Sequence, residues 1–153
     1  MRRVFLMFPL AAVALMLFAV PAFGLGVNGF FKTPSGRIVC EWVTYGVIGA
    51  PRASVECGVA TGLKPPIPKT GPDCQHLDYV GNRVRLADTG PVHLIACAGD
   101  AGPFGNPGRT VYLQSGKSWK GGGIVCAEAT RGLTCRNRNG HGFFLSLRGW
   151  RVF

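Results

Sequence analysis

Three histidines, His76, His93 and His141, are the side chains whose ordinary pKa suits proton exchange near neutral pH. Seven carboxylates are available to pair with them: Glu41, Glu56, Asp73, Asp78, Asp88, Asp100 and Glu128. His141, with Arg136 and Arg138 close by in sequence, is the most suggestive grouping. A base, an acid and a guanidinium clamp are what cleavage of a phosphodiester requires, as in small secreted ribonucleases. Against this, Asn139-Gly140-His141-Gly142 is a sequence built to turn, and a turn histidine commonly caps local backbone groups. His93 alternates with Val92 and Leu94 in a strand-like run and is expected to face solvent. No G-x-S-x-G, H-E-x-x-H, glycine-rich phosphate loop or calcium loop occurs. The structural reading of the histidines therefore leads, and a small hydrolase acting on a phosphodiester is the alternative.

Six cysteines, Cys40, Cys57, Cys74, Cys97, Cys126 and Cys135, could be metal ligands, nucleophiles or disulfides. Metal sites favour C-x-x-C pairs, whereas the closest two here, Cys126 and Cys135, have eight residues between them. An even count behind an export signal points to three disulfides, which leaves no thiol nucleophile and calls for no metal or cofactor. In Ile38-Val39-Cys40, Ile95-Ala96-Cys97 and Ile124-Val125-Cys126 the cysteine follows an isoleucine by two, so both share one strand face. Val55 stands in the same relation to Cys57, and Leu133 to Cys135. Of the fifteen possible connectivities, the nearest-neighbour one is expected: Cys40 with Cys57, Cys74 with Cys97, and Cys126 with Cys135. The last pair would face across a hairpin turning at Thr130-Arg131-Gly132.

The export signal is the first segment. Met1-Arg2-Arg3 is a short positive region, Val4 to Val20 is apolar without a charge, and Pro21-Ala22-Phe23-Gly24 supplies small residues at alternate positions. Cleavage after Gly24 or Ala22 is expected, giving a leader over 1–24 and a single β domain over 25–153. An uncleaved anchor is the alternative, and the leader is then the one route to a membrane. The protein is accordingly expected to be secreted or held in the cell envelope.

Cleavage after Gly24 leaves fifteen Lys and Arg against seven acids, a formal net charge of +8. The basic residues do not form a run, although Arg131, Arg136 and Arg138 make a mild cluster with Arg148 and Arg151 beyond it. Such a surface solubilises the domain; as a binding feature it suits an anionic envelope polymer, with another secreted protein the other partner class. Nucleic acid is disfavoured, because the basic residues lack interleaved aromatics. Trp42 shares strand parity with Ile38 and Cys40 and reads as core. Trp119, in Ser118-Trp119-Lys120-Gly121, reads as an exposed turn residue beside two lysines and thus as a candidate binding side chain.

The elements that must position these groups are strands. Glycine and proline recur too often for any apolar set to persist over three helical turns. Nine short runs alternate with turn formers: 37–44, 54–60, 83–87, 92–98, 110–113, 123–127, 133–137, 143–147 and 150–153. They predict an all-β, antiparallel small sandwich or barrel built from disulfide-stapled hairpins. The stretches 62–72 and 98–108 read as loops. Ser35-Gly36-Arg37-Ile38-Val39-Cys40 is echoed by Gly121-Gly122-Gly123-Ile124-Val125-Cys126, each a glycine turn entering a cysteine strand. Either a duplicated hairpin or an economical way of writing one accounts for this.

Two of these segments carry a resemblance. Phe31-Lys32-Thr33-Pro34-Ser35-Gly36-Arg37-Ile38-Val39-Cys40 and Gly132-Leu133-Thr134-Cys135-Arg136-Asn137-Arg138-Asn139-Gly140-His141-Gly142-Phe143-Phe144-Leu145-Ser146 resemble an uncharacterised family of small cysteine-rich secreted proteins of actinobacteria. Cys97-Ala98-Gly99-Asp100 also fits, while Arg37 and the stretch from Leu77 to Gly81 depart from the pattern. The resemblance implies secretion and disulfides, and assigns no activity.

The leading expectation is thus a secreted or envelope-associated binding or structural module. The mature protein is expected to lack its leader and contain no free thiol. Intact mass and thiol titration check this, and three or more free thiols in secreted material would refute the disulfide framework.

Overall fold

The computed structural model describes residues 24–47, 50–69, 74–75, 80–105 and 110–153. The expected leader lies outside the described residues. Among the described residues eleven strands form two sheets. The first contains β1 (Gly24–Lys32), β2 (Ile38–Val47), β3 (Ala50–Val59), β4 (Val80–Ala87), β5 (Val92–Cys97) and β6 (Thr110–Tyr112) in the spatial order β5-β4-β3-β2-β1-β6. The second contains β7 (Ser118–Gly121), β8 (Ile124–Ala129), β9 (Gly132–Arg136), β10 (Gly142–Leu145) and β11 (Trp150–Val152) in the order β11-β10-β9-β8-β7. One buried cluster takes Phe31, Val55, Val84 and Leu86 from the first sheet and Ile124, Leu133, Phe143 and Leu145 from the second. The fold is therefore an all-β sandwich, and the sheets do not close into a barrel.

Alternation assigns the faces. In β8, Ile124, Cys126 and Glu128 are buried while Val125, Ala127 and Ala129 are exposed. Leu133 and Cys135 point inward from β9, and Phe143 and Leu145 from β10. Cys40 lies directly opposite Cys57 and Cys126 directly opposite Cys135. Their Cα atoms are 4.1 and 4.0 Å apart, in the range of the closer type of antiparallel pair. Cys74 is bonded to Cys97, so the three bridges join nearest neighbours along the chain. Ile67 and Leu63 tuck from the loop after β3 into the core.

Three features depart from the expected strand list. β1 was not among the predicted runs, because its glycines mask the alternation. Trp119 is not in a turn: it lies in edge strand β7, opposite Cys126, with its ring stacked on Phe31 at 5.5 Å and tilted against Trp42 at 5.8 Å. Its half-buried side chain packs against the core, which corrects the expected exposed turn position. The sheets are also not wholly antiparallel, since β6 runs parallel to β1, with Phe31 opposite Val111. Parallel neighbours need a crossover. Here the chain leaving β5 at one edge of the first sheet reaches the opposite edge, and its 3₁₀ turn Gly102–Phe104 touches β2 and β3 on the way.

The turn between β9 and β10 is held differently from expectation. Among the described residues the His141 ring has no hydrogen-bond partner, and Asn137 does the work instead. Its Oδ1 accepts from the Asn139 N–H at 3.0 Å, and its Nδ2 donates to the carbonyls of Ala87 (3.1 Å) and Gly90 (2.7 Å). One buried amide therefore shapes a turn of the second sheet and ties it to the β4–β5 corner of the first. Close approach elsewhere rests on glycine: Gly122, at φ +55°, sits where a methyl group would run into Ala53 of β3.

Phe143→Ala should cost about 3 kcal/mol or more by opening a cavity at a fully buried position. Asn137→Ala should cost about 2 kcal/mol by stranding two carbonyls, and His141→Ala much less than either. Urea unfolding with all three variants checks the ranking, and an equal loss from His141→Ala and Asn137→Ala would refute the assignment of the turn.

Candidate functional site

The outward residues of the second sheet follow from the same alternation. Thr134 and Arg136 leave β9 on the outer side, Phe144 leaves β10, and Arg151 leaves β11 opposite Phe144. Arg131 belongs to the β8–β9 turn and Arg148 to the β10–β11 turn, which lie side by side because β9 and β10 pair between them. Together they flank an open cleft of about 950 Å³, lined also by Thr134, Phe144, Trp150 and Arg151. Ser146 folds the second turn, donating to the Gly149 carbonyl at 2.8 Å and accepting from the Arg148 and Gly149 N–H groups. Trp150 is fixed by its indole N–H, which donates to the Pro65 carbonyl at 2.7 Å.

Two arginines on this face are stacked. The Arg136 guanidinium lies 4.4 Å from the Phe153 ring centroid, and that of Arg151 lies 5.6 Å from the Phe144 centroid. Residues 110–153 contain seven Lys and Arg against one acid, Glu128. Glu128 points away from the face, into the sandwich, and its Oε2 has no hydrogen-bond partner among the described residues. Burial pushes its carboxyl above the ordinary value. Among the described residues no ion pair involves an arginine of this sheet.

Of the residues singled out by sequence, Arg131 and Arg136 lie on this sheet at opposite ends of β9. Arg138 and His141 sit beyond β9, in the turn at the end away from Arg131, and Arg138 passes over Gly123. They are not gathered into one pocket. The structure instead brings Arg148 and Arg151, which looked peripheral in sequence, beside Arg131. His93 is on β5 of the other sheet, and neither His93 nor His141 is among the residues that line this cleft or the smaller one on the first sheet. His76, Asp73 and Asp78 lie outside the described residues.

Sequence reasoning missed a second polar constellation, on the outer face of the first sheet. Register places Glu41, Glu56, Arg85 and His93 in one row across β2, β3, β4 and β5. Arg83, one row away, is 2% exposed, and its Nη1 reaches Glu56 Oε1 at 3.0 Å and Asp100 Oδ1 at 2.9 Å. Arg85 donates from Nε and Nη2 to Glu56 Oε2 at 2.8 and 2.6 Å. Gly102, at φ +47°, lies against this group so closely that a Cβ would displace Arg83. The hydrogen bond from Arg83, assisted by one from the Gly102 N–H, holds the Asp100 carboxyl below the ordinary range. A cleft of about 400 Å³ borders these groups, but Glu56 and Asp100 are already engaged by the arginines. Their evident work is to fasten the crossover onto the sheet. The alternation Arg83-Val84-Arg85 was the available signal, although only the register shows that it meets Glu56.

Fold and site together define a disulfide-stapled β-sandwich with one fastened outer face and one open, basic, arginine-on-aromatic outer face. The chain belongs to the DUF6636 family, a family of unknown function whose model matches residues 10–153. No curated protein and no solved structure matches it.

The raised pKa of Glu128 has a definite sign. Between its unfolded and folded values the native state binds more proton than the unfolded chain, so stability falls as pH rises through that window. Glu128→Gln should remove this slope, making the variant increasingly more stable than the parent from pH 4 toward pH 7. Thermal unfolding of both across that range checks it; a difference independent of pH would mean that water reaches the carboxylate.

Proposed function

We propose that this protein is a secreted or envelope-associated, non-enzymatic binding module that engages an anionic partner through the outer face of its second sheet. The observation that carries this reading is the set of arginines on one open face whose only acidic companion in the same segment is turned inward. An exposed positive field without internal counter-charge attracts anions and is weakened by salt. Three disulfides support an oxidising compartment. The hydrolase alternative calls for two histidines with a carboxylate or an arginine around one cavity. Neither His93 nor His141 lines either cleft, which supports the binding reading over it.

The oxidised mature protein should be retained on an acidic-polymer matrix at low ionic strength and released as salt rises through the physiological range. Replacing Arg131, Arg148 and Arg151 together with serine should abolish retention while leaving the fold intact by circular dichroism. Equal retention of the triple variant would remove this face as the binding surface. Loss of a measurable nuclease or esterase activity in a stable His141→Ala variant would replace the module by the hydrolase.

A further inference from the structure

The open face carries more than charge. Phe144 is on β10, and the Phe153 ring occupies the space that a side chain at Gly142, two residues earlier on β10, would need. The two arginine-on-phenyl stacks therefore follow one another along β10, about 7 Å apart at the rise of an antiparallel strand. The second stack forms one wall of the cleft between the turns bearing Arg131 and Arg148, on the side away from the first stack. Guanidiniums thus succeed one another along a single line, and a line suits a linear ligand better than a free anion.

The stacks also specify the anion and limit the polymer. A guanidinium lodged over a ring has lost some of its rotamer freedom, and its N–H groups, unpaired by any acid among the described residues, are available for bidentate bonds to a carboxylate, sulfate or phosphate. Single-stranded nucleic acid is held largely by bases stacking on free aromatic faces, and here Arg151 over Phe144 and Arg136 over Phe153 compete for those rings. Beside the stacks lie Thr134, Ala127 and Ser118, a strip of small and hydroxyl-bearing residues that leaves room for a ring and offers partners to its hydroxyls.

We propose that a linear acidic glycan lies along β10, with its oxyanions gripped by Arg136 and Arg151 and a further one taken in the cleft by Arg131 and Arg148. This rests on the binding reading above and adds the ligand class and the manner of its recognition. The test is calorimetric titration of the oxidised mature protein, at about 0.15 M salt, with hexagalacturonate, a sulfated hexasaccharide, a neutral hexasaccharide and an oligothymidylate of matching charge. Binding of either acidic hexasaccharide in preference to the neutral one and the oligothymidylate supports the proposal. The double variant Arg136→Lys, Arg151→Lys keeps the charge but loses the planar fork, and should bind the acidic hexasaccharide at least tenfold more weakly. Undiminished affinity in that variant would overturn oriented recognition while leaving charge-driven binding in place. Equal or tighter binding of the oligothymidylate would overturn the glycan class, and no binding of any of the anions would overturn both readings.

Discussion

The register of two hairpins is the constraint on which the rest depends. In a strand of period two, a slip of one residue exchanges the inner and outer faces. Cys40 opposite Cys57 and Cys126 opposite Cys135 forbid that slip, because each bridge spans inward positions that face one another. With Cys135 fixed inward, Arg136 and Thr134 must point out, and β10 inherits the same phase through the pairing of Phe143 with Cys135. The placement of Phe144 and Arg151 on the open face is thus a consequence of the disulfide two strands away. Bridges of this kind are worth about 2 to 4 kcal/mol each by constraining the unfolded chain, but here their positional effect reaches the candidate site itself.

The same device occurs once in each sheet, and the likeness extends past the hairpins. β1 to β5 and β7 to β11 are each a run of five consecutive strands laid side by side in chain order, with the bridge between the second and third. Phe31 faces Cys40 as Trp119 faces Cys126, and these two corresponding rings stack on each other across the sandwich. The sequence echo from Ser35 to Cys40 and from Gly121 to Cys126 is the most legible part of a correspondence that covers both sheets. Its remainder is hidden in the sequence because the other strands share place and phase but not residue types.

What could be read from the sequence was local. The cysteine parity, the burial of Phe143 and Leu145 and the loop character of 62–69 all follow from neighbours within a few residues. Trp119 was misplaced because Lys120-Gly121 reads locally as a turn, whereas its position is decided by Phe31, far away in the chain. His141 looked like the holder of its turn on the strength of residue type, yet the anchor is Asn137, whose partners at Ala87 and Gly90 no local pattern reveals. The Arg83 network was invisible for the same reason, since it joins β3, β4 and the crossover. Likewise, Arg148 and Arg151 gained their importance only when two turns were brought side by side.

Two related sheets then end with opposite outer faces, and the difference lies in where the acids stand. On the first sheet, Glu56 and Asp100 both pair with Arg83 Nη1, Glu56 also takes Arg85, and Gly102 closes over them. Buried there, an unpaired guanidinium would be costly, so its counter-charges must be built in. Among the described residues no element crosses over the second sheet, Arg136 and Arg151 lie over phenyl rings in contact with solvent, and Glu128 is turned into the core, where burial favours its neutral form. Solvated arginines tolerate the lack of a partner, which the first sheet's buried arginine could not. The described residues therefore use their acids to fasten one face and leave the other positive.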